Sequence, residues 1–546
     1  MIGSMKKLLP LLALLGAAPA PEAVSPERMS ADVRVLASPA FQGRAPGTPG
    51  EERTVAWLVQ QFKAMGLQPG GPGGQWTQGV PLVHTRLGAG TISAGGTAWR
   101  QGREVYLSTV RPVDRVRIAD APMVFVGYGV RAPERGWDDF KGVDLHGKVA
   151  VFLVNDPDFD AAASDDPAGK FGGRRMTYYG RWTYKYEEAA RQGAVAALIV
   201  HDTAGAGYGW ATVTAPGGEN YDVERRAGDE RVPLQGWIEG DAATKLFAAA
   251  GLDLAAERAR ARRADFRPVE LRGQKLSADF AVTTERAQSR NVLAKVGGKT
   301  RPDEVVMFGA HWDAYGIGPA DARGRTMRPG ANDDALGVAA VLEAARAFAR
   351  GPKPARSVVF ALWTGEERGL LGSETYAQHP VYAPAKTVAN LTFDILQTAG
   401  PSHDVLLVGP GQNALEDGFA AAIAAQGRVV TPEALPERGL FYRADHFSLA
   451  RQGVPTLLLM AISGAPDLVA GGRAGGQAWL DGYMKCYHQT CDEWSPAWDL
   501  GGAAQDVGAM LTVGRRLANG DDWPQWREGS EFKAVRDASA AARAGR

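Results

Sequence analysis

The chain has 546 residues, a length that predicts several structural units at about 150 residues per domain. Lys plus Arg and Asp plus Glu both number 61, so the formal net charge is zero and no global attraction to nucleic acid or to an anionic membrane is expected. With only two cysteines, the composition excludes a disulfide-rich scaffold and a cysteine-rich zinc module. Any metal site must therefore use histidine and carboxylate ligands.

The N-terminal residues have the order of a secretory signal peptide. Lys6 and Lys7 precede the apolar run 8–15, and Ala18-Pro19-Ala20 fits a small-residue cleavage site. The run is too short to span a bilayer, and no later stretch reaches about 18 consecutive apolar residues. We therefore predict a signal peptide at residues 1–22, no membrane span, and export to the periplasm or the extracellular space. An ordinary apolar N-terminal helix is the alternative interpretation.

The pattern of apolar residues changes along the chain. Helical spacing dominates residues 25–67, whereas residues 105–280 contain short β-type runs separated by Asp, Gly and Pro turns. From residue 291 onward, strand patterns alternate with helix patterns. This alternation predicts an α/β fold with a mostly parallel central sheet flanked by helices, preceded by a β-rich unit.

Side chains that bind metals follow several of the predicted strands. The strands 304–309, 357–363 and 387–393 each run into such side chains, and a glycine-rich loop and a downstream segment add more. The carboxyl ends of parallel strands meet at one edge of a sheet, where ligands bind. Two His, two Asp and one Glu suffice for two divalent ions with one bridging carboxylate, and this ligand set suits zinc. In chain order, the candidates are His311, Asp313, Asp333, Glu366, Glu367, Asp394 and His488.

Each motif alone has an ordinary structural explanation. An Asp-Asp pair before a helix is typical of an N-cap, a Glu-Glu pair of a solvated face, and a lone histidine of a hydrogen-bonded surface or core residue. Their occurrence together and in order favours the metal site. A second Glu beside a ligand Glu is expected to be a general base, because water between two metal ions needs a proton acceptor nearby.

Four of these motifs also resemble a known family. His311-Trp312-Asp313, the run 330–337, the run 363–373 and Tyr487-His488 resemble, in this order, the motifs of the co-catalytic di-zinc exopeptidases. That family includes bacterial leucyl aminopeptidases and the glutamate carboxypeptidase ectodomains. The resemblance covers most of residues 26–515, and the Glu-Glu-Arg-Gly-Leu-Leu-Gly-Ser string that begins at Glu366 is its most specific part.

The resemblance assigns a role to each ligand. It implies that two Zn²⁺ ions are bound, with Co²⁺ or Mn²⁺ as alternative metals. One zinc would be held by His311 and Asp394 and the other by Glu367 and His488, with Asp333 bridging the two.

Three further residues receive catalytic roles from the resemblance. Glu366 would be the catalytic base, Asp313 would orient His311, and Tyr487 would polarise the scissile carbonyl. Asp313 has a physical basis for its role, because a carboxylate beside a ligand histidine fixes the tautomer and raises the basicity of the ring.

Two positions depart from the family pattern. Thr392 stands where an Asn is usual before the ligand Asp394, which alters the support of that ligand. Ala444 replaces a Ser in the segment that continues with Asp445 and His446. The last two residues are candidates for the cleft or for supporting the metal ligands.

The β-rich unit resembles the protease-associated domain that is inserted in larger members of the family. The resemblance is carried by residues 124–129, 145–150 and 186–194. The chain is therefore divided into a signal peptide at 1–22, an N-terminal part of the peptidase domain at 25–115, a protease-associated-like insert at 116–285, a di-zinc peptidase core at 286–520 and a C-terminal tail at 521–546.

The insert contains a stretch, residues 174–186, in which basic and aromatic residues alternate as on a surface for single-stranded nucleic acid. Zero net charge and the export signal disfavour that partner, so a peptide-contacting loop or plain domain packing is expected instead. The two cysteines, Cys486 and Cys491, flank His488, and in an oxidising compartment they could form a disulfide that stiffens the loop. Metal ligation by the thiolates is the alternative.

The sequence therefore predicts an exported zinc-dependent exopeptidase that acts on peptides. The favoured activity is that of an aminopeptidase in which a water bridging two zinc ions attacks the peptide, with Glu366 as general base. A glutamate carboxypeptidase-like enzyme is the first alternative, and it would need a cationic pocket for which Arg443 and Arg174, Arg175 or Arg181 are candidates. A catalytically inactive binding ectodomain is the second. No feature of the sequence defines an oligomeric state.

Overall fold

The computed structural model describes residues 24–226 and 231–544. The predicted signal peptide at residues 1–22 lies outside the described residues. Within these two ranges, every helix is too short or too polar to cross a membrane.

The sheet of the C-terminal half is parallel, as predicted. Its strands pair in the order Thr456–Leu459, Thr387–Phe393, Arg301–His311 and Arg356–Trp363, with each pair parallel. Every residue of Thr387–Phe393 and of Arg356–Trp363 is buried, as expected for apolar strands that are covered on both faces. The prediction of an α/β fold with a mostly parallel central sheet is thus confirmed.

Helices from both ends of this half and from the N-terminal region cover the sheet. Leu336–Arg350 is rich in Ala, Val and Leu and is buried over most of its length. The N-terminal helices Pro26–Leu36 and Pro49–Ala64 contribute Met29 and Phe62 to the same apolar core. The α-helices around this sheet are Pro26–Leu36, Pro49–Ala64, Leu336–Arg350, Leu371–Gln378, Leu415–Ala424, His446–Ala450, Gly472–Tyr483 and Gly501–Asn519.

The middle of the chain is itself a mixed α/β unit. Strands Arg115–Phe125, Val149–Leu153, Ala196–Val200 and Leu234–Ile238 pair in parallel, and Val105–Ser108 adds an antiparallel edge. The unit therefore contains more helix than the predicted β-type runs indicated, because Ala-rich helices and buried strands both produce short apolar runs. Its longer α-helices are Trp182–Arg191, Gly240–Ala249 and Leu254–Ala261.

One long strand, Val269–Val296, connects this unit to the core. It pairs with Arg115–Phe125 through its first part, with Thr77–Ala94 over its middle, and with Arg356–Trp363 through residues 292–296. A single sheet therefore runs through both units. The assignment of the insert as a protease-associated domain stays a prediction.

The insert also docks onto the core through the stretch 174–186. Arg174 pairs with Glu437 at 2.7 Å, and Arg175 Nη1 donates to the carbonyl of Pro410 at 2.8 Å. The backbone N–H of Met176 donates to the carbonyl of a proline in the same core segment at 3.2 Å. This part of the basic and aromatic stretch therefore serves domain packing.

Candidate metal centre

The predicted ligands meet because parallel strands end at the same edge of the sheet. His311 is the last residue of its strand, and Asp394 directly follows Thr387–Phe393. Glu366 and Glu367 follow Arg356–Trp363 after a two-residue turn. All of these side chains thus arrive at the carboxyl edge, where α/β sheets bind their ligands.

Two overlapping trios of potential metal ligands result. His311, Asp333 and Asp394 form one trio, and Asp333, Glu367 and His488 form the other, with the ligand atoms of each trio within 4.8 Å of one another. The two oxygens of Asp333 serve different histidines: Oδ1 lies 3.2 Å from Nε2 of His311, and Oδ2 lies 3.2 Å from Nε2 of His488. The structure therefore brings all five sequence-predicted ligands together around one shared carboxylate.

Negative charge is concentrated in this centre. Burial and the neighbouring carboxylates, among them Asp394 and Asp445, raise the pKa of Glu366 well above its ordinary value. Burial also raises the pKa of Asp394 to about 8, although the imidazole of His311 works against the rise. Grouping these carboxylates costs free energy, because buried like charges repel one another in a medium of low dielectric.

The donor set fits a pair of divalent cations. Nε2 of His311 is buried and makes no hydrogen bond within the described chain, yet it points at the carboxylates of Asp333 and Asp394. A cation between these atoms would satisfy the nitrogen and offset the repulsion of the oxygens. Tightly grouped imidazole and carboxylate donors suit zinc, and one carboxylate shared by two trios suits a bridged pair.

Glu366 lies at the open side of the centre. Its side chain is 11% exposed, and its Oε2 lies 3.9 Å from Nε2 of His311. The backbone N–H of Glu366 donates to Oδ1 of Asp313 at 3.1 Å, so this buried carboxylate holds the turn that presents Glu366. An acidic group with a raised pKa at the edge of a metal site is well placed for proton transfer.

Asp313 also contacts His311. Nδ1 of His311 lies 3.1 Å from the backbone carbonyl oxygen of Asp313 and 3.6 Å from its carboxylate. The carbonyl is thus the closer hydrogen-bond acceptor for the ring. With Nδ1–H bonded in this way, Nε2 is the nitrogen left free to face the centre.

The loop that carries His488 is constrained by a disulfide and by ring packing. A disulfide joins Cys486 to Cys491, so the thiols are used for cross-linking and not for metal ligation. The ring of Tyr487 lies 3.6 Å from that of His488, measured between centroids. His488 has a φ of +62°, a left-handed conformation that is uncommon for residues other than glycine and that the surrounding loop must stabilise.

Tyr315 is a contact of this histidine that the sequence analysis missed. Its hydroxyl lies 3.2 Å from Nδ1 of His488. The guanidinium of Arg368 lies between the rings of Tyr315 and Tyr221, 5.0 and 4.7 Å from their centroids, and Tyr221 stacks in turn on His84 at 4.4 Å. Tyr221 belongs to strand Glu219–Val223, so a column of rings connects the middle of the chain to the centre. The proximity of Tyr315 to the His-Trp-Asp motif was the only signal in the sequence.

Two buried carboxylates support the loop that carries Asp333. Asp334 accepts backbone N–H bonds from His311, Gly337 and Ile395, at 3.2, 2.9 and 3.3 Å. Its bond to Gly337 lies in the first turn of the following helix, so the capping explanation is correct for this one residue.

Asp492 is the other supporting carboxylate. It accepts from the backbone N–H groups of Asn332 and Asp333 at 3.0 and 3.1 Å, and burial raises its pKa to about 7. Asp492 was not among the predicted site residues, because its partners lie about 160 residues away in the chain.

A buried arginine donates hydrogen bonds to the loop after His311 and to the loop before Asp333. Arg44 is fully buried, and its guanidinium donates to the carbonyls of Trp312, Pro329 and Gly330 at 2.6–2.8 Å. The sequence offers no signal for this role, because arginine is mostly found at surfaces.

The residues that depart from the family pattern are buried near the centre. Thr392 Oγ1 donates to Oδ1 of Asn390 at 2.6 Å. Ala444 is buried in an apolar cluster. Burial also raises the pKa of Asp445 to about 7, and this carboxylate is one of those that act on Glu366. His446 is completely buried, with its ring in edge contact with Phe441 at 4.7 Å.

Comparison with known proteins finds one family model and several curated relatives. The family model described as Peptidase family M28 matches residues 291–512. The leupeptin-inactivating enzyme 1 of Streptomyces exfoliatus is 30% identical over 212 residues, which cover 38% of this chain and 44% of that protein. An aminopeptidase of Pseudomonas aeruginosa is 31% identical over 224 residues, which cover 39% and 38% of the two chains. The chain thus spans less than half the length of these curated relatives.

Among solved structures, an aminopeptidase from Aneurinibacillus sp. strain AM-1 is similar with a TM-score of 0.49 and 20% identity, covering 92% of this chain and 96% of that one. The matched segment 291–512 contains all five predicted ligands together with Glu366. The match confirms the resemblance drawn from the motifs and the predicted class of peptidase. Residues 291–512 of the chain thus match peptidase family M28.

Proposed function

We propose that this protein is an exported zinc-dependent exopeptidase of the aminopeptidase type. The observation that carries the proposal is the position of Asp333, whose two oxygens each lie 3.2 Å from the Nε2 atom of a different histidine. The match of residues 291–512 to peptidase family M28 supports hydrolysis of peptide bonds, and aminopeptidases among the relatives support release of N-terminal residues.

The five ligands would hold two zinc ions. His311 and Asp394 would bind one, Glu367 and His488 the other, and Asp333 both. When bound, zinc would supply Lewis acidity towards the scissile carbonyl and would lower the pKa of a water molecule at the site.

Glu366 would perform the proton transfers. It lies at the open side of the centre, and its raised pKa makes it a stronger base than an ordinary carboxylate. It would take a proton from the attacking water as the C–O bond forms and would deliver that proton to the leaving amine as the C–N bond breaks. Asp313 would hold the turn that carries Glu366, through its bond to the backbone N–H.

Tyr487 is proposed to donate a hydrogen bond to the oxygen of the scissile carbonyl. Burial, together with the nearby charge of Asp333, raises the pKa of Tyr487 well above its ordinary value. The phenol therefore keeps its proton at neutral pH, as such a donor requires.

Export is part of the proposal. It rests on the charged and apolar order of residues 1–22 and is supported by the Cys486–Cys491 disulfide, because disulfides persist mainly in oxidising compartments.

A panel of substrates would test the activity. The purified protein is analysed for bound zinc and is assayed with aminoacyl chromogenic amides, with and without a chelator, and with N-acetylated forms of the same amides. We expect bound zinc and chelator-sensitive hydrolysis of the free-amine substrates alone. Hydrolysis of N-blocked peptides from a free carboxyl end would indicate a carboxypeptidase. Absence of zinc and of any hydrolysis would indicate a binding ectodomain.

A further inference from the structure

The loop that carries Glu366 and Glu367 is held by the middle unit of the chain. This loop connects strand Arg356–Trp363 to helix Leu371–Gln378. Strand Glu219–Val223 of the middle unit lies against the helix. Three contacts of different kinds join the strand and the residues after it to the loop and the helix.

Two of these contacts fix the helix. Val223 and Leu371 lie in the same buried apolar cluster. Arg225, two residues beyond the strand, pairs with Glu374 at 3.0 Å and with Asp222 at 2.6 Å. The helix that follows the loop is therefore fixed to the middle unit by apolar packing and by charge.

The third contact is made by Arg368, the residue that follows Glu367. Its guanidinium lies over two rings, 4.7 Å from the centroid of Tyr221 and 5.0 Å from that of Tyr315. An aromatic face attracts a cation, and the planar guanidinium stacks well between two such faces. Arg368 therefore joins a ring of the middle unit to a ring of the core.

The two rings lead in opposite directions. Tyr221 stacks on His84, its partner in the neighbouring strand, with centroids 4.4 Å apart and an interplanar angle of 14°. The hydroxyl of Tyr315 lies 3.2 Å from Nδ1 of His488, and Tyr315 lines a cavity together with three of the proposed ligands. A continuous series of contacts thus runs from the middle unit through Arg368 to a proposed metal ligand.

We propose that Arg368 and Tyr221 are positioning residues for the metal centre. The inference rests on the proposed zinc-dependent function and adds a residue of the middle unit to its site. Arg368 acts in two ways: it anchors the loop next to Glu367, and it supports the ring of Tyr315, which orients His488. Both of these ligands belong to the second trio, so loss of the contact should weaken zinc binding there.

Competition with a chelator would test this role on the purified protein. The measured quantity is the zinc that stays bound at graded chelator concentrations, so no substrate is needed. In Arg368→Gln and Tyr221→Leu we expect the affinity for zinc to fall by about 2- to 30-fold, the range of a cation–π contact. Tyr221→Phe should stay at the wild-type value, because it keeps the ring that faces Arg368.

Arg286→Gln is the matched control. Arg286 belongs to the middle unit but is exposed and pairs with Glu224 at 3.3 Å, so its loss should leave the zinc affinity unchanged. Arg368→Lys should lie between Arg368→Gln and the wild type, because lysine keeps the charge but not the planar group.

A double variant distinguishes one shared contact from two separate effects. If Arg368 and Tyr221 act through each other, the losses in Arg368→Gln and Tyr221→Leu should add to less than their sum when combined. Fully additive losses would overturn the proposal. So would a zinc affinity in both single variants equal to that of Arg286→Gln, or a loss in Tyr221→Phe as large as that in Tyr221→Leu.

The same variants separate this proposal from the proposed function. If the protein binds zinc but hydrolyses no peptide, the proposed function fails, and the chelator titration still judges Arg368 and Tyr221. If it hydrolyses aminoacyl amides while both variants retain zinc as Arg286→Gln does, the positioning role fails and the peptidase function stands. A protein that binds no zinc would contradict both.

Discussion

The hydroxyl of Tyr315 lies 3.2 Å from Nδ1 of His488, while Nε2 of the same ring lies 3.2 Å from Asp333. One nitrogen of the imidazole, Nδ1, thus contacts a phenol hydroxyl, and the other, Nε2, faces the metal centre. A hydrogen bond to the remote nitrogen of a ligand histidine fixes its orientation and its tautomer. Tyr315 therefore positions the ring of this proposed ligand.

Tyr315→Phe should weaken metal binding by about 10- to 100-fold, the usual effect of losing such a partner. The measurement is zinc content after dialysis against graded chelator concentrations. Tyr382→Phe is the control, because that hydroxyl donates to the carbonyl of Gly70 far from the centre. Equal zinc retention by the two variants would contradict the role of Tyr315.

The adjacent residues Glu366 and Glu367 should respond differently to the same change. Glu366→Gln should keep both metal ions but lower kcat by about 10²- to 10⁴-fold, because a general base is lost. Glu367→Gln should lose metal, since the oxygen of Glu367 lies 3.3 Å from Nε2 of His488 within the second trio. Metal analysis beside kinetics separates the two results. Full turnover by Glu366→Gln would refute its assignment as the base.

Asp334 should matter for stability, because three backbone N–H groups depend on its carboxylate. In Asp334→Ala these buried donors lose their acceptor, at about 1–3 kcal/mol each, so the free energy of unfolding should fall by about 3 kcal/mol or more. Chemical denaturation measures the change. Asp303→Ala, at an exposed position, is the control. A shift no larger than that of the control would show that the N–H groups find other acceptors.

The sequence was sufficient to predict that the five proposed ligands come together, because four of them follow an apolar strand or a glycine-rich loop and parallel strands end at the same edge of a sheet. His311 and Asp394 are the clearest cases, each at the end of its own buried strand. Supporting residues such as Tyr315, Asp492 and Arg44 could not be predicted in this way. Their partners are brought near by tertiary packing, and a single tyrosine, aspartate or arginine has no pattern of its own.

The continuity of the sheet was also beyond prediction. Alternation of apolar residues indicates that a strand exists but not which strand it pairs with. Val269–Val296 shows the difficulty, since this one strand pairs with four different strands along its length, including the short strand Gln68–Pro69. The predicted boundary near residue 285 marks a change in the pattern of apolar residues, but a single strand continues through it.

His446 should make the stability of the protein depend on pH. Its ring is completely buried against Phe441, and burial lowers its pKa to about 3, whereas an unfolded histidine titrates near about 6.5. The folded-state pKa is the lower one, so the stabilisation is complete above about pH 6.5 and is lost as the pH falls towards 3, at up to about 1.4 kcal/mol per pH unit.

His446→Phe keeps the contact with the ring of Phe441 but removes the titrating group, so it is the matched variant. Between pH 7 and pH 5, the wild-type protein should lose about 2 kcal/mol more of its unfolding free energy than His446→Phe does. Denaturant titrations at the two pH values measure this difference. Protonation of the metal ligands affects both proteins alike and cancels. Parallel losses in the two proteins would mean that the imidazole accepts a proton within the fold, against the expectation from its burial.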